Sequence, residues 1–169
     1  MQILVISDTH GRSDRLRQAV LMHENADYII HCGDGERECD ELLSEFPALA
    51  PKLYFVRGNC DHSSRSPELM TLDLPFSHRA VITHGHRYLT GSFRENLVRL
   101  ARSQDADIVL FGHIHTRVDE TLAGVRLFSP GSAALPRDGQ PPAFGLIDVF
   151  ESGLLTSHGS LGVSPYTMQ

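Results

Sequence analysis

The chain has 169 residues, 41% of them hydrophobic and 21% charged, which is the balance of one globular domain with a core large enough to hold a rigid site; a single domain over 1–169 is expected. A formal charge of −6 leaves no basic footprint for long nucleic acid, although a bound cation would still let the chain draw a small anionic substrate. Cys32, Cys39 and Cys60 include no Cys-x2-Cys pair, so neither a disulfide framework nor a thiolate zinc cluster is expected; with no signal-peptide pattern and no membrane-length apolar run, the reading is a cytoplasmic protein.

The first two-thirds of the chain alternates strand and helix patterns. A strand over Ile3 to Ile6 leads to Gly11, and Ser13 reads as the N-cap of a helix that has Asp14 in its first turn and Leu16, Ala19, Val20 and His23 on one face. Tyr28 to His31 is a second strand ending at Gly33-Asp34, followed by a short helix from about Glu36 to Phe46 that stops before Pro47. Leu53 to Arg57 is a third strand, ending at Gly58-Asn59. Apolar alternation from Met70 to Leu74 suggests a half-buried strand, and Arg79 to Thr83 is another. Ser92 and Glu95 form a capping-box pattern before a helix with Phe93, Leu97, Leu100 and Ala101 on one face, and Asp107 to Phe111 follows as a strand.

The last third reads as two hairpins. Val118 to Leu122 and Val125 to Phe128 flank Ala123-Gly124, while Phe144 to Phe150 and Leu154 to Thr156 flank Glu151-Ser152-Gly153. Crossover helices followed by hairpins imply an α/β domain of two packed mixed sheets flanked by helices. Proline and glycine are densest at Pro130-Gly131 and from Pro136 to Pro142, as in a long surface loop.

Metal-type donors close successive strands: Asp8 and His10, Asp34, Asn59, His84, then His113 and His115. Asp8/His10 and His113/His115 are spaced i, i+2, which in extended backbone puts both side chains on one face. Gly11, Gly33, Gly58, Gly85 and Gly112 adjoin these donors, where a chain turns sharply or approaches an ion. In open α/β sheets such strand ends meet in a ligand crevice. Taken singly, a strand-end histidine is usually a core or surface residue and a Gly-Asn pair a turn; it is the joint pattern that points to metal. Two carboxylates, an amide oxygen and four imidazoles suit Mn2+, Fe2+, Co2+ or Zn2+ better than Ca2+. Seven donors exceed one tetrahedral ion but suit two sharing a carboxylate, with Asp34, alone in its packet, as the natural bridge. Two such ions roughly 3.5–4 Å apart clamp the attacking and leaving oxygens of a phosphoryl displacement.

Asp8-Thr9-His10, Gly33-Asp34, Gly58-Asn59-Cys60-Asp61, Thr83-His84-Gly85-His86 and Gly112-His113-Ile114-His115 resemble, in order and spacing, the calcineurin-like metallophosphoesterase superfamily, in its small YfcE-type phosphodiesterase branch. Ser129-Pro130-Gly131-Ser132 and Pro136-Arg137 add to the resemblance, which covers nearly the whole chain. It implies the metallophosphoesterase β-sandwich of two mixed sheets flanked by helices. It implies one ion on Asp8, His10, Asp34 and His115 and another on Asp34, Asn59, His84 and His113, with a bridging hydroxide attacking phosphorus. The ions implied are Mn2+ first, with Fe2+, Co2+, Ni2+ or Zn2+ as alternatives.

Asn59, Asp34 and His86 are taken as the catalytic candidates, with His86 standing between a phosphate contact or supporting role and a structural one. Where many members of the superfamily carry a histidine after the asparagine, this chain has Cys60, a poor acid for a leaving group. His62 is near enough to stand in, with surface exposure the plainer reading, and Asp61 is read as orienting a neighbour or fixing the turn. Loops Ser63 to Glu68 and Ala133 to Pro142 are expected to set specificity. The expected partner is a small phosphate ester, with no long nucleic acid and no membrane, and homo-oligomerisation left open. The alternative is a protein-interaction scaffold of the same fold, like the retromer subunit of the superfamily.

Overall fold

A computed structural model describes residues 1–62 and 64–162, so Ser63 of the expected specificity loop and 163–169 of the expected domain lie outside the described residues. Ten strands and three α-helices follow one another as β1 (Gln2–Ile6), α1 (Ser13–Met22), β2 (Tyr28–His31), α2 (Glu36–Glu45), β3 (Leu53–Phe55), β4 (Leu69–Asp73), β5 (Arg79–Thr83), α3 (Phe93–Ser103), β6 (Ile108–Phe111), β7 (Arg117–Leu122), β8 (Val125–Pro130), β9 (Ala143–Phe150) and β10 (Gly153–Ser160) among the described residues. Single 3-10 turns at Pro47–Leu49, Pro75–Ser77 and His86–Tyr88 fall between the expected elements.

The strands form two mixed five-stranded sheets, in the orders β10-β9-β1-β2-β3 and β4-β5-β6-β8-β7. β1, β2 and β3 run parallel, with Ile3 opposite Tyr28 and Ile29 opposite Leu53. β5, β6 and β8 are likewise parallel, with Val81 opposite Val109 and Val109 opposite Leu127. Ile3–Ile6 of β1 and Ile108–Phe111 of β6 read as unbroken apolar runs because both faces are buried. Successive side chains of β1 divide the work: Ile3 and Val5 join Ile82, Leu110 and Phe128 between the sheets, while Leu4 and Ile6 pack with Leu16, Val20 and Leu42 beneath α1 and α2. Val81, Val109 and Phe111 pack in the same way under Leu97 and Ala101 of α3. The result is the expected α/β sandwich, helix–sheet–sheet–helix.

Three local expectations are corrected. Ser13 is the first residue of α1 rather than its N-cap; Arg12 holds that position, and the Ser13 hydroxyl donates to Glu41. Ser92 does sit extended at the N-cap of α3, but no capping-box hydrogen bond forms. The second hairpin has a tighter turn at Glu151-Ser152, with β10 running from Gly153 to Ser160. His158 of β10 stacks on Phe128 at 4.8 Å, and its Nε2 pairs with the Ser129 carbonyl at 2.8 Å. No helix among the described residues is long and apolar enough to cross a membrane.

Candidate metal centre

Loops that follow parallel strands of both sheets meet, as their hydrogen bonds show. The loop after β1 is stitched to the loop after β2 by Asp8 N–H to Gly33 O (3.1 Å) and His10 N–H to Asp34 O (3.2 Å). It reaches the other sheet through His113 N–H to Asp8 Oδ2 (3.1 Å) and the Ser132 hydroxyl to Asp8 O (2.8 Å). Seven donors from five loops thereby share one crevice.

The backbone that presents them is not the extended chain expected from i, i+2 spacing. Asp8 (φ 55), His10 (φ 43), Asp34 (φ 57), His113 (φ 68) and His115 (φ 57) all lie in the left-handed region. Asp and His tolerate that region better than β-branched residues do, but each such residue still carries strain held by its surroundings. Tight left-handed turns, rather than strand alternation, turn both members of each pair into the crevice. Gly58 has a different role: a Cβ there would collide with the Asp34 carboxylate.

Asp8 is fully buried, and its two oxygens differ. Oδ2 accepts the Ser7 hydroxyl (2.6 Å) and the His113 N–H. Oδ1 has no hydrogen-bond partner, although it lies 3.1 Å from His115 Nε2, 3.7 Å from His10 Nε2 and 4.0 Å from His84 Nε2. A buried carboxylate oxygen without a donor is costly, and an ion among these atoms removes the cost. The imidazoles are oriented to match. His84 Nδ1 is paired with Cys32 O at 2.8 Å and His115 Nδ1 with Leu135 O at 2.8 Å, so with those nitrogens donating, Nε2 of each offers a lone pair to the crevice. His10 Nε2 and His115 Nε2 stand 3.1 Å apart.

Asp34 is central, its Oδ2 3.4 Å from His84 Nε2 and 3.8 Å from His10 Nε2. Burial pushes its carboxyl up, yet His84 and the Cys60 N–H outweigh burial and hold it well below the usual carboxylate range. Burial alone would lower His84, but Asp34 and Asp8 raise it. His115 is raised chiefly by the Asp8 carboxylate 3.1 Å away, whereas burial, reinforced by His84, lowers His113. Ligand atoms within 4.8 Å of one another group as Asp8/His10/His115, Asp8/Asp34/His84 and His10/Asp34/Cys60.

Asn59 is exposed, with Oδ1 3.1 Å from His84 Nε2 and Nδ2 donating to Cys60 Sγ at 3.3 Å. His113 joins by ring contact with His84, 5.1 Å between centroids. His86 stands behind the centre, its ring 5.5 Å from that of His84 and 6.2 Å from that of His113, and burial lowers it.

Sequence reasoning missed the supporting residues. Glu38, buried in α2, accepts the Thr9 hydroxyl (2.8 Å) and Gly11 N–H (2.6 Å), and Thr9 also meets buried His31 at 3.2 Å. A carboxylate in the same helical stripe as Cys39 and Leu42 was the available signal. Ser7 and Ser132 gave none, because their value lies in contacts with Asp8. An open cleft of about 700 Å³ leads from His10, Asp34 and Cys60 to Arg37, His62 and Arg65. The expected 63–68 loop thus contributes Ser64 and Arg65 to the cleft, while the 133–142 loop supports His115 through Leu135 O. Burial, then Asp34, pushes the Cys60 thiol up to about 11.

The profile of the calcineurin-like phosphoesterase superfamily domain matches residues 1–152. The chain is 36% identical over 138 residues to the probable metallophosphoesterase YsnB of Bacillus subtilis (strain 168), covering 81% of this chain and 78% of that protein. It is 28% identical over 171 residues to the phosphodiesterase YfcE of Escherichia coli (strain K12), covering 88% of each. Among solved structures, a predicted phosphoesterase from Streptococcus pneumoniae TIGR4 superposes with a TM-score of 0.79 at 25% identity, covering 94% of this chain and 88% of that one. Zinc-bound Vps29 of Entamoeba histolytica shares the fold, with a TM-score of 0.73 at 24% identity over 94% of this chain and 98% of its own.

Proposed function

The chain belongs to the calcineurin-like phosphoesterase superfamily, and from that membership we propose that it hydrolyses a small phosphate diester at a centre of two divalent ions. The observation that carries this reading is the partnerless, buried Asp8 Oδ1 facing three imidazole nitrogens, with the Asp34 carboxylate beside it. Asp8, His10, Asp34 and His115 would hold one ion, and Asp34, Asn59, His84 and His113 would hold the other. The oxygen and imidazole donors suit Mn2+, Fe2+, Co2+, Ni2+ and Zn2+ as a class, and Mn2+ is the ion taken first. Bound ions of this kind supply an activated water and polarise the phosphoryl oxygens.

The protein's own part is positioning. Cys32 O and Leu135 O fix the rings of His84 and His115, and Ser7 with the His113 N–H turns Asp8 Oδ1 into the crevice. His86, lowered by burial and with its ring 5.5 Å from that of His84, would meet a phosphate as a neutral group rather than add charge. The Cys60 thiol, pushed up by burial and by Asp34, is a poor acid for a leaving group. Diesters with good leaving groups therefore suit the site. The free thiols fit a reducing cytoplasm, and the net charge of −6 fits a small substrate better than a nucleic-acid strand.

The test is chelation. EDTA should abolish hydrolysis of bis(p-nitrophenyl) phosphate and Mn2+ should restore it; turnover indifferent to EDTA would overturn the proposal. A chain that carries two ions by elemental analysis yet turns over no monoester, diester or cyclic nucleotide would instead be a scaffold.

A further inference from the structure

Helix α2 starts directly after Asp34 and lacks a cap of its own. Its N-cap is Gly35, which has no side chain to offer and no room for one, since a Cβ there would run into Thr9 and His31. The first N–H groups of a helix nevertheless need acceptors. They find them 25 and more residues away in sequence. Asp61 Oδ1 accepts Gly35 N–H and Glu36 N–H, both at 3.0 Å, and Asp61 Oδ2 accepts Asp34 N–H at 2.8 Å and Gly58 N–H at 2.7 Å. One carboxylate thus receives four backbone donors, two on each oxygen, from the loop that carries Asp34 and the loop that carries Asn59.

These hydrogen bonds are charge-assisted, and the helix dipole of α2 favours the anion. Apart from them, Cys60 N–H to Asp34 Oδ1 at 2.7 Å also joins the two loops, and that bond uses the very carboxylate an ion needs. Asp34 must be held beside Asp8, another buried carboxylate, before any cation neutralises the pair.

We infer that Asp61 is a positioning residue, a remote helix cap that presets Asp34 and Asn59 for ion binding by clamping their two backbones together. The inference rests on the metal-centre reading above and assigns Asp61 no contact with ion or substrate. It places the effect in ion affinity rather than in the chemical step.

Asp61→Asn keeps the size of the side chain but turns an NH2 group towards two of the four donors. Asp61→Ser withdraws it beyond reach of most of them. Calorimetric titration of the wild type with Mn2+ comes first: no uptake there would defeat the metal-centre reading itself. Given uptake, folded Asp61→Asn, or Asp61→Ser if the first variant is not recovered folded, should bind Mn2+ at least about tenfold more weakly. The half-saturating Mn2+ for turnover should rise in step, while KM for the diester at saturating Mn2+ stays within about twofold. Mn2+ affinity within twofold of wild type in either folded variant overturns the inference, as does weakened affinity accompanied by a comparable rise in KM, which would mark a general loosening of the cleft.

Discussion

Asp34 is where single-residue chemistry concentrates, because its carboxylate faces His84 and His10 and accepts the Cys60 N–H. Asp34→Asn keeps the shape and removes the charge that both proposed ion sites would share. We expect kcat/KM with Mn2+ to fall by more than about a thousandfold, with fewer than two ions retained by elemental analysis. Cys60→Ser, by contrast, should leave turnover of a nitrophenyl diester within about threefold of wild type, because the thiol it replaces is held protonated; a loss near a thousandfold would return Cys60 to the chemistry. At this scale the candidate donors were legible in sequence because a metal needs particular atoms, and the structure brings the aspartates and histidines proposed for it into one crevice. Ser7, Ser132 and Glu38 were not legible. Their contribution is a direction given to Asp8 or to the Thr9–Gly11 turn, and a serine in a loop has many uses.

The strands were legible as elements because parallel strands buried on both faces become unbroken apolar runs, as in Ile3–Ile6 and Ile108–Phe111. Helix starts were less so. Capping is a property of neighbours as much as of local sequence: Ser92 is in place without its bond, and α2 has a glycine where a capping side chain was to be expected. That glycine is testable. Gly35→Ala would push a methyl group into Thr9 and His31, and we expect a loss of about 1–3 kcal/mol in urea-unfolding stability, with weaker Mn2+ binding. The first hairpin offers the opposite change. Ala123 and Gly124 both have positive φ (50 and 83), the signature of a type I′ turn, which prefers Asn-Gly. Ala123→Asn should therefore raise stability by about 0.5–1 kcal/mol, or about 2–4 °C in Tm per kcal/mol for a chain of this size, read by thermal melting.

For the whole molecule, ions bound as proposed would belong to the fold as well as to the reaction. Five loops from two sheets converge on a crevice with two carboxylates, and a cation binding there stabilises only the folded state. At a hundredfold excess over its dissociation constant, one Mn2+ contributes about 2.7 kcal/mol. Tm should then rise by about 5–11 °C with Mn2+ and fall back with EDTA, whether or not the protein turns substrate over. An unchanged Tm would mean that the crevice does not take the ion. The layered architecture and the meeting of the strand ends were readable from alternating patterns, but the backbone that aims the ligands was not, because Asp8, His10, Asp34, His113 and His115 adopt left-handed turns that spacing alone does not predict. Glycine would relax each of these five positions, and at each of them it would also delete a donor. A library sorted for heat resistance in the presence of EDTA should therefore drift towards glycine at those positions, and its survivors would be well-folded sandwiches that had lost their appetite for metal.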